Sequence, residues 1–241
     1  MSLGVIGGLG PMATAYFMQR IIEMTDAIQD QEHLQMIVYN CPNIPDRTSY
    51  ILDTTKENPI PYIIDIADKL KEQNVDCVAM PCITAHYFKN TIENESGVSV
   101  IDVIEDTVKL IKDGGIMRVG LMATDGTVKS RIFQRKMEEH GLEVILPDDK
   151  HQKMVMDLIY EDIKKGYSPN IDNFNIVKSY LVEHGAQIVI LGCTELSVIK
   201  RDYDLGSGIC DCLDVLARQS ILRCNKRIKS EYDILFSPIE K

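Results

Sequence analysis

Val78-Ala79-Met80-Pro81-Cys82-Ile83-Thr84-Ala85-His86 and Val189-Ile190-Leu191-Gly192-Cys193-Thr194-Glu195-Leu196 are the two stretches on which the fold of this chain turns. Each is a short apolar run that leads directly to a cysteine and then to a helix start. Such runs read as strands buried on both faces, the pattern of a parallel sheet covered by helices. In open sheets of that kind, ligands bind at the carboxyl ends of the strands. Both cysteines stand at such an end.

Working outward, each run closes a similar strand–helix cycle. Leu3–Gly7 reads as a strand, Pro11 to about Thr25 as a helix with proline in its first turn, and Gln35–Tyr39 as a second strand. Asn40–Asn58 reads as a long loop and Pro59–Gln73 as a helix with apolar residues at helical spacing. After Asp76–Met80, the pattern predicts a helix over Thr84–Asn94, a strand over Val98–Ile101 and a helix over Ile104–Lys112. Asp113-Gly114-Gly115 then breaks the pattern and the cycle restarts. Strands are expected at Arg118–Met122, Glu143–Leu146, Gln187–Leu191 and Ser207–Cys210, with helices at Val128–His140, Lys150–Lys165, Ile171–Gly185 and Asp211–Ile228. In each half about seventy residues separate the opening strand from the cysteine motif, which suggests a duplication. The expected architecture is α/β: two similar doubly wound domains, residues 1–113 and 114–210, with the site in the cleft between them. Residues 211–241 form a closing helix and tail that pack back on the first domain.

The 241 residues include 26 basic and 36 acidic side chains, a formal charge of −10. That balance argues against nucleic acid, which needs a basic face. No apolar run reaches the ~18–20 residues of a membrane span, and the first residues hold no basic segment followed by an apolar one, so a secretory signal is not expected. Seven cysteines without regular spacing make no disulfide framework, so reduced thiols in a cytoplasmic setting are expected. Cys82 and His86, with Cys210 and Cys212 downstream, fall short of zinc-ligand spacing, and no metal is expected.

A free cysteine is usually a small core hydrophobe, and Cys41, Cys77, Cys210, Cys212 and Cys224 are read that way. Cys82 and Cys193 differ because their placements match. A helix start favours a thiolate, and inversion at an α-carbon needs a base on one face and an acid on the other. Two opposed thiols serve both directions by exchanging roles.

At these residues the chain resembles the aspartate/glutamate racemase family, nearest its aspartate racemase branch. The motifs are Gly-Gly-Leu-Gly-Pro-Met-Ala-Thr (7–14), Pro-Asp-Arg-Thr (45–48), Pro-Cys-Ile-Thr-Ala-His (81–86), Gly-Leu-Met-Ala-Thr-Asp-Gly-Thr (120–127), Ile-Lys-Lys-Gly (163–166) and Leu-Gly-Cys-Thr-Glu-Leu (191–196). They follow family order over nearly the whole chain. The resemblance implies racemisation of aspartate or glutamate without pyridoxal phosphate or any other cofactor, with Cys82 and Cys193 as acid and base, commonly in a homodimer. It implies that Gly8 and Met12 in the glycine loop, with Thr84, Thr124, Thr127 and Thr194, hold the substrate's α-carboxylate and amine. Arg47 and Lys164 would meet its distal carboxylate, which suits an Arg fork and a Lys point charge. Taken alone, Arg47 also reads as a solvated loop charge and Lys164 as a cation at a helix end. Glu195 either tunes Cys193 or caps the following helix, and His86 either tunes Cys82 or is structural. The family usually has a substrate-contacting Asn after the first cysteine. Here it is Ile83, expected as an apolar side chain at the mouth of the site that alters substrate preference or slows turnover.

Three other readings compete. Gly8-x-Gly10-x-x-Ala13 formally fits a dinucleotide loop, but the second strand ends in Asn40 rather than an acid, and Pro11 interrupts the loop. A relative acting on hydantoins or maleate, or a small-molecule binder with a degenerate site, would keep the fold. A Gly-x-Ser-x-Gly hydrolase motif is lacking.

Overall fold

The apolar runs form seven strands in a computed structural model that describes residues 1–239. They are β1 (Ser2–Gly7), β2 (Gln35–Asn40), β3 (Cys77–Ala79), β4 (Arg118–Met122), β5 (Glu143–Ile145), β6 (Ile188–Leu191) and β7 (Ile209–Asp211). The helices are α1 (Pro11–Met24), α2 (Arg47–Leu52), α3 (Ile60–Glu72), α4 (Lys89–Ser96), α5 (Val103–Asp113), α6 (Asp125–Ser130), α7 (Ile132–Glu139), α8 (Asp149–Met156), α9 (Ile171–Glu183), α10 (Thr194–Asp202) and α11 (Cys212–Arg223). All strand pairings are parallel, in the orders β2-β1-β3 and β5-β4-β6-β7. The α/β class with two parallel sheets is therefore as expected. Among the described residues, no helix is long and apolar enough to cross a membrane.

Strand alternation divides the core into layers. Leu3, Val5 and Ala79 of the first sheet, and Val119, Leu121, Ile188 and Ile190 of the second, face one shared cluster. That cluster includes Phe17 and Ile21 of α1, Val108 and Ile111 of α5, Phe133 of α7, and Leu213, Leu216 and Ile221 of α11. Ile6, Val78, Met80 and Cys82 face the opposite side, against Ile63, Ala67 and Leu70 of α3. Met122, Val189 and Leu191 likewise face Val155 of α8 and Phe174, Val177 and Leu181 of α9. The two sheets thus share one apolar layer in the middle. Arg20 of α1 meets Asp214 of α11 at 2.7 Å, and the backbone after α11 bonds the end of α1 through Asp26 N–H to Arg227 O and Lys229 N–H to Met24 O.

Several local expectations change. Val98–Ile101 is not a strand; only Val100 makes an isolated bridge, to Val78, because the segment turns into α5 two residues later. The expected loop 40–58 contains α2, capped by Asp46, whose side chain accepts from Ser49 N–H at 2.8 Å. The helix expected at Thr84–Asn94 begins as a 3-10 segment, Ile83–Phe88, before α4. The helix expected at Val128–His140 starts earlier and is broken into α6 and α7 at Arg131, which is left-handed at φ 56°. Lys150–Lys165 divides into α8, a π segment at Asp157–Asp162 and a 3-10 turn at Ile163–Lys165. The closing helix stops at Arg223, before the left-handed Asn225.

Candidate active site

The carboxyl ends of β3 and β6 deliver Cys82 and Cys193 to one junction. Each is the extended residue before a helical segment, and both are buried. Thr194, next to Cys193, donates its hydroxyl to the carbonyl of Pro81, next to Cys82, at 3.3 Å. A second tie crosses the halves at three buried threonines: Thr84 and Thr124 hydroxyls are 2.9 Å apart, and each is 3.1 Å from Thr127. Thr124 also caps α6. A third tie is the Tyr160 hydroxyl of the π segment, which donates to Asp46 at 3.0 Å. Packing at this seam is close: a Cβ on Gly126 would come within 2.9 Å of the Thr48 backbone.

Cys193 donates its thiol proton to Glu195 Oε2 at 2.9 Å, while Glu195 Oε1 accepts from Lys164 Nζ at 2.7 Å. Burial and the adjacent Glu195 carboxylate push the Cys193 thiol well above its ordinary value, with Lys164 opposing. Burial works against the Lys164 charge, but Glu195 and the two cysteines outweigh it and raise its pKa. The two Glu195 oxygens are thus engaged by the Cys193 thiol and by Lys164. Lys164 points into the site from the 3-10 turn after the π segment. A π segment re-aims the residues that follow it and is frequent at functional sites.

Arg47 stands on the Cys82 side. It is buried, donates to the carbonyls of Leu9, Ile44 and Pro45, and leaves its Nε without a partner. Burial opposes its charge, while Cys82 and Asp46 reinforce it and keep its pKa raised. A buried, unpartnered guanidinium N–H beside a thiol is a ready donor to a carboxylate. His86 places Nδ1 3.1 Å from the Cys82 carbonyl and Nε2 3.3 Å from the Ile101 carbonyl. Burial lowers its pKa, and its contacts are to backbone, so it braces the Cys82 turn rather than touching the sulfur.

Gly8 has φ +88° and lies against the Cys41 backbone, where a Cβ would come within 2.3 Å; its N–H donates to Thr14 Oγ1. The loop also approaches the site at Gly10, where a Cβ would meet Glu195 Oε1 at 2.7 Å. Met12 is more than half exposed and lies against Arg201. Ile83 departs from expectation. It is only 1% exposed and packs in the shared central cluster, so it does not stand open at the mouth of the site. Ile83→Asn would bury an amide among apolar side chains, and it is expected to destabilise the fold by about 2 kcal/mol or more, read as a lower denaturant midpoint. An unchanged midpoint would mean that the position has polar partners after all. Tyr160 and Asp46, which tie the halves beside the cysteines, were not among the candidate site residues of the sequence reading. Asp46 carried a signal, because it precedes Arg47 at a helix start, whereas Tyr160 carried none.

The sequence profile described as Asp/Glu/Hydantoin racemase matches residues 6–219. The chain is similar to the broad specificity amino-acid racemase RacX of Bacillus subtilis, 28% identical over 91% of this chain and 96% of that one. Its structure is similar to that of the Picrophilus torridus aspartate racemase, with a TM-score of 0.83 and 29% identity over 98% of this chain and 99% of that one. The fold also matches an aspartate racemase homologue from Pyrococcus horikoshii, with a TM-score of 0.75 and 23% identity over 93% of this chain and 99% of that one. With the profile spanning both cysteine motifs and both sheets, the chain belongs to the Asp/Glu/hydantoin racemase family of enzymes.

Proposed function

We propose that this protein racemises amino acids, aspartate or glutamate among them, by proton transfer between Cys82, the substrate α-carbon and Cys193. The observation that carries this reading is the 3.3 Å bond from Thr194 to Pro81, which joins the residues beside the two cysteines. A substrate between the sulfurs loses its α-proton to the thiolate on one face and receives a proton from the thiol on the other. Arg47 supplies positive charge beside the Cys82 sulfur, which must carry negative charge during one direction of turnover. Lys164 and the Arg47 Nε–H are the donors for a side-chain carboxylate, once Lys164 leaves Glu195. Both thiols are buried, so substrate entry requires the seam between the halves to open.

A second reading concerns breadth of substrate. A groove of about 520 Å³ runs from Lys164 to the surface, lined by Met12 of α1, Tyr167, Val198, Arg201 and Tyr203. It crosses from one half to the other and offers room for side chains longer than that of aspartate. The relationship to RacX favours the same breadth.

The test is a panel of L- and D-amino acids incubated with the protein in D₂O, without pyridoxal phosphate. α-Proton exchange is followed by NMR and inversion by circular dichroism. Inversion of aspartate or glutamate is the expected result. Inversion of longer substrates as well would establish breadth, and aspartate alone would reject it. No exchange with any member would overturn the racemase reading.

A further inference from the structure

Cys77 and Cys224 are 147 positions apart in the sequence, yet their sulfurs stand 3.7 Å from each other. Cys77 opens β3, five residues before Cys82, and Cys224 follows the last turn of α11. Neither belongs to the site above. Cys77 faces the shared central layer, whereas Cys82 faces the opposite side of the sheet. Both are largely buried, with Cys77 the more accessible at 7% against 2%. A disulfide closes at about 2.05 Å, so a small side-chain adjustment brings the sulfurs to bonding distance.

The two thiols are not equivalent. Their mutual hydrogen bond, helped by Arg223 and opposed by burial, holds Cys77 below the ordinary thiol value. The same bond, with burial, pushes Cys224 upward. Cys77, the more accessible of the two at 7% against 2%, is the sulfur an oxidant meets first, and Cys224 is placed to resolve it.

We propose that Cys77 and Cys224 are a modification site: a dithiol that hydroperoxides convert to a disulfide, pinning the end of α11 to the strand that leads to Cys82. The Cys77 thiolate attacks one oxygen of hydrogen peroxide. The O–O bond breaks, a sulfenic acid forms, and the departing hydroxide takes up a proton to give water. Cys224 then attacks the sulfenic sulfur and gives up its own proton, and the hydroxyl leaves as a second water. Two thiols and one peroxide become one disulfide and two waters. The sulfurs together lose two electrons and the peroxide oxygens gain them. A small dithiol reverses the bond by exchange.

The experiment treats the full-length protein, in native buffer, with a small excess of hydrogen peroxide. Free thiols are then alkylated in denaturant and the protein is mapped without reduction. The expected result is a peptide containing Cys77 joined to one containing Cys224, and a thiol count reduced by two from the original seven. Dithiothreitol should restore all seven. The bridged form should also melt at a higher temperature, because the bond restricts the unfolded chain. C77S and C224S should each fail to form the bridge and show no peroxide-dependent rise in melting temperature. A bridge between other cysteines, such as Cys82 and Cys193, would overturn the proposal. So would oxidation of Cys77 to a sulfinic acid with Cys224 still free, or no change in thiol count. If either variant fails to fold, the wild-type map alone decides.

Discussion

Cys193→Ala is expected to stop inversion while leaving solvent exchange in one enantiomer, and Cys82→Ala to leave exchange only in the other. The two thiols occupy the ends of strands in different sheets and are tied through neighbouring residues at 3.3 Å. Each can therefore reach only one face of a substrate held between them. With Cys193 gone, Cys82 still removes a proton from its own face and returns a deuteron to the same face, so configuration is kept. Inversion needs the second sulfur and should fall by about 10²–10⁴-fold, the usual contribution of a positioned acid or base. Deuterium incorporation and circular dichroism, measured on the same samples, separate the two outcomes. Which variant exchanges L and which D assigns each sulfur to a face. If either variant inverts substrate at the wild-type rate, its cysteine is not an acid or base in the reaction. Loss of all exchange in both variants would mean that one sulfur cannot work without the other, and would rule out independent faces.

The placement of Cys82 and Cys193 at strand ends was legible in the sequence because it rests on a strong signal. A strand buried on both faces is an unbroken apolar run, and its carboxyl end is a fixed place in the sheet. The same logic located both sheets and most helices. Weaker signals failed where tertiary contacts override local preference. Val98–Ile101 has strand composition, but only Val100 finds a partner. Arg131 takes a left-handed conformation without being Gly or Asn, so nothing in composition marks the break between α6 and α7. The π segment at Asp157–Asp162 has the apolar spacing of an ordinary helix, yet it sets the direction of Tyr160 and Lys164. Ile83 shows the limit of residue-by-residue analogy: its position follows the family motif, but its side chain belongs to the core. The contact of Cys77 with Cys224 depends on how α11 returns across the sheet, which no local pattern encodes.

Glu195→Gln and Lys164→Met are expected to move the pH dependence of the Cys193-initiated direction in opposite senses. In the wild type, burial and the Glu195 carboxylate both disfavour the Cys193 thiolate, and Lys164 partly offsets them. When Cys193 is the base, the rate should rise with pH through and above the usual thiol range. Glu195→Gln removes the like charge 2.9 Å from the sulfur, so the thiolate forms more easily and the profile shifts to lower pH. Lys164→Met removes the opposing cation, so the profile shifts to higher pH. It also leaves Glu195 buried without its partner at 2.7 Å, and loss of one member of a buried pair costs about 3–5 kcal/mol. Because the Lys164 side chain is about a quarter exposed, the stability loss should lie toward the lower end of that range. The pH profiles of kcat in the two directions, measured for all three proteins, provide the check. In the direction in which Cys82 is the base, Cys193 is the acid, so the same substitutions should move the alkaline limb of that profile in the same senses, while the limb set by Cys82 should shift less because Glu195 bonds Cys193. An equal shift of the limb set by Cys82 would mean that Glu195 acts on the site as a whole, and an unmoved profile would reduce the Lys164–Glu195 pair to a structural brace.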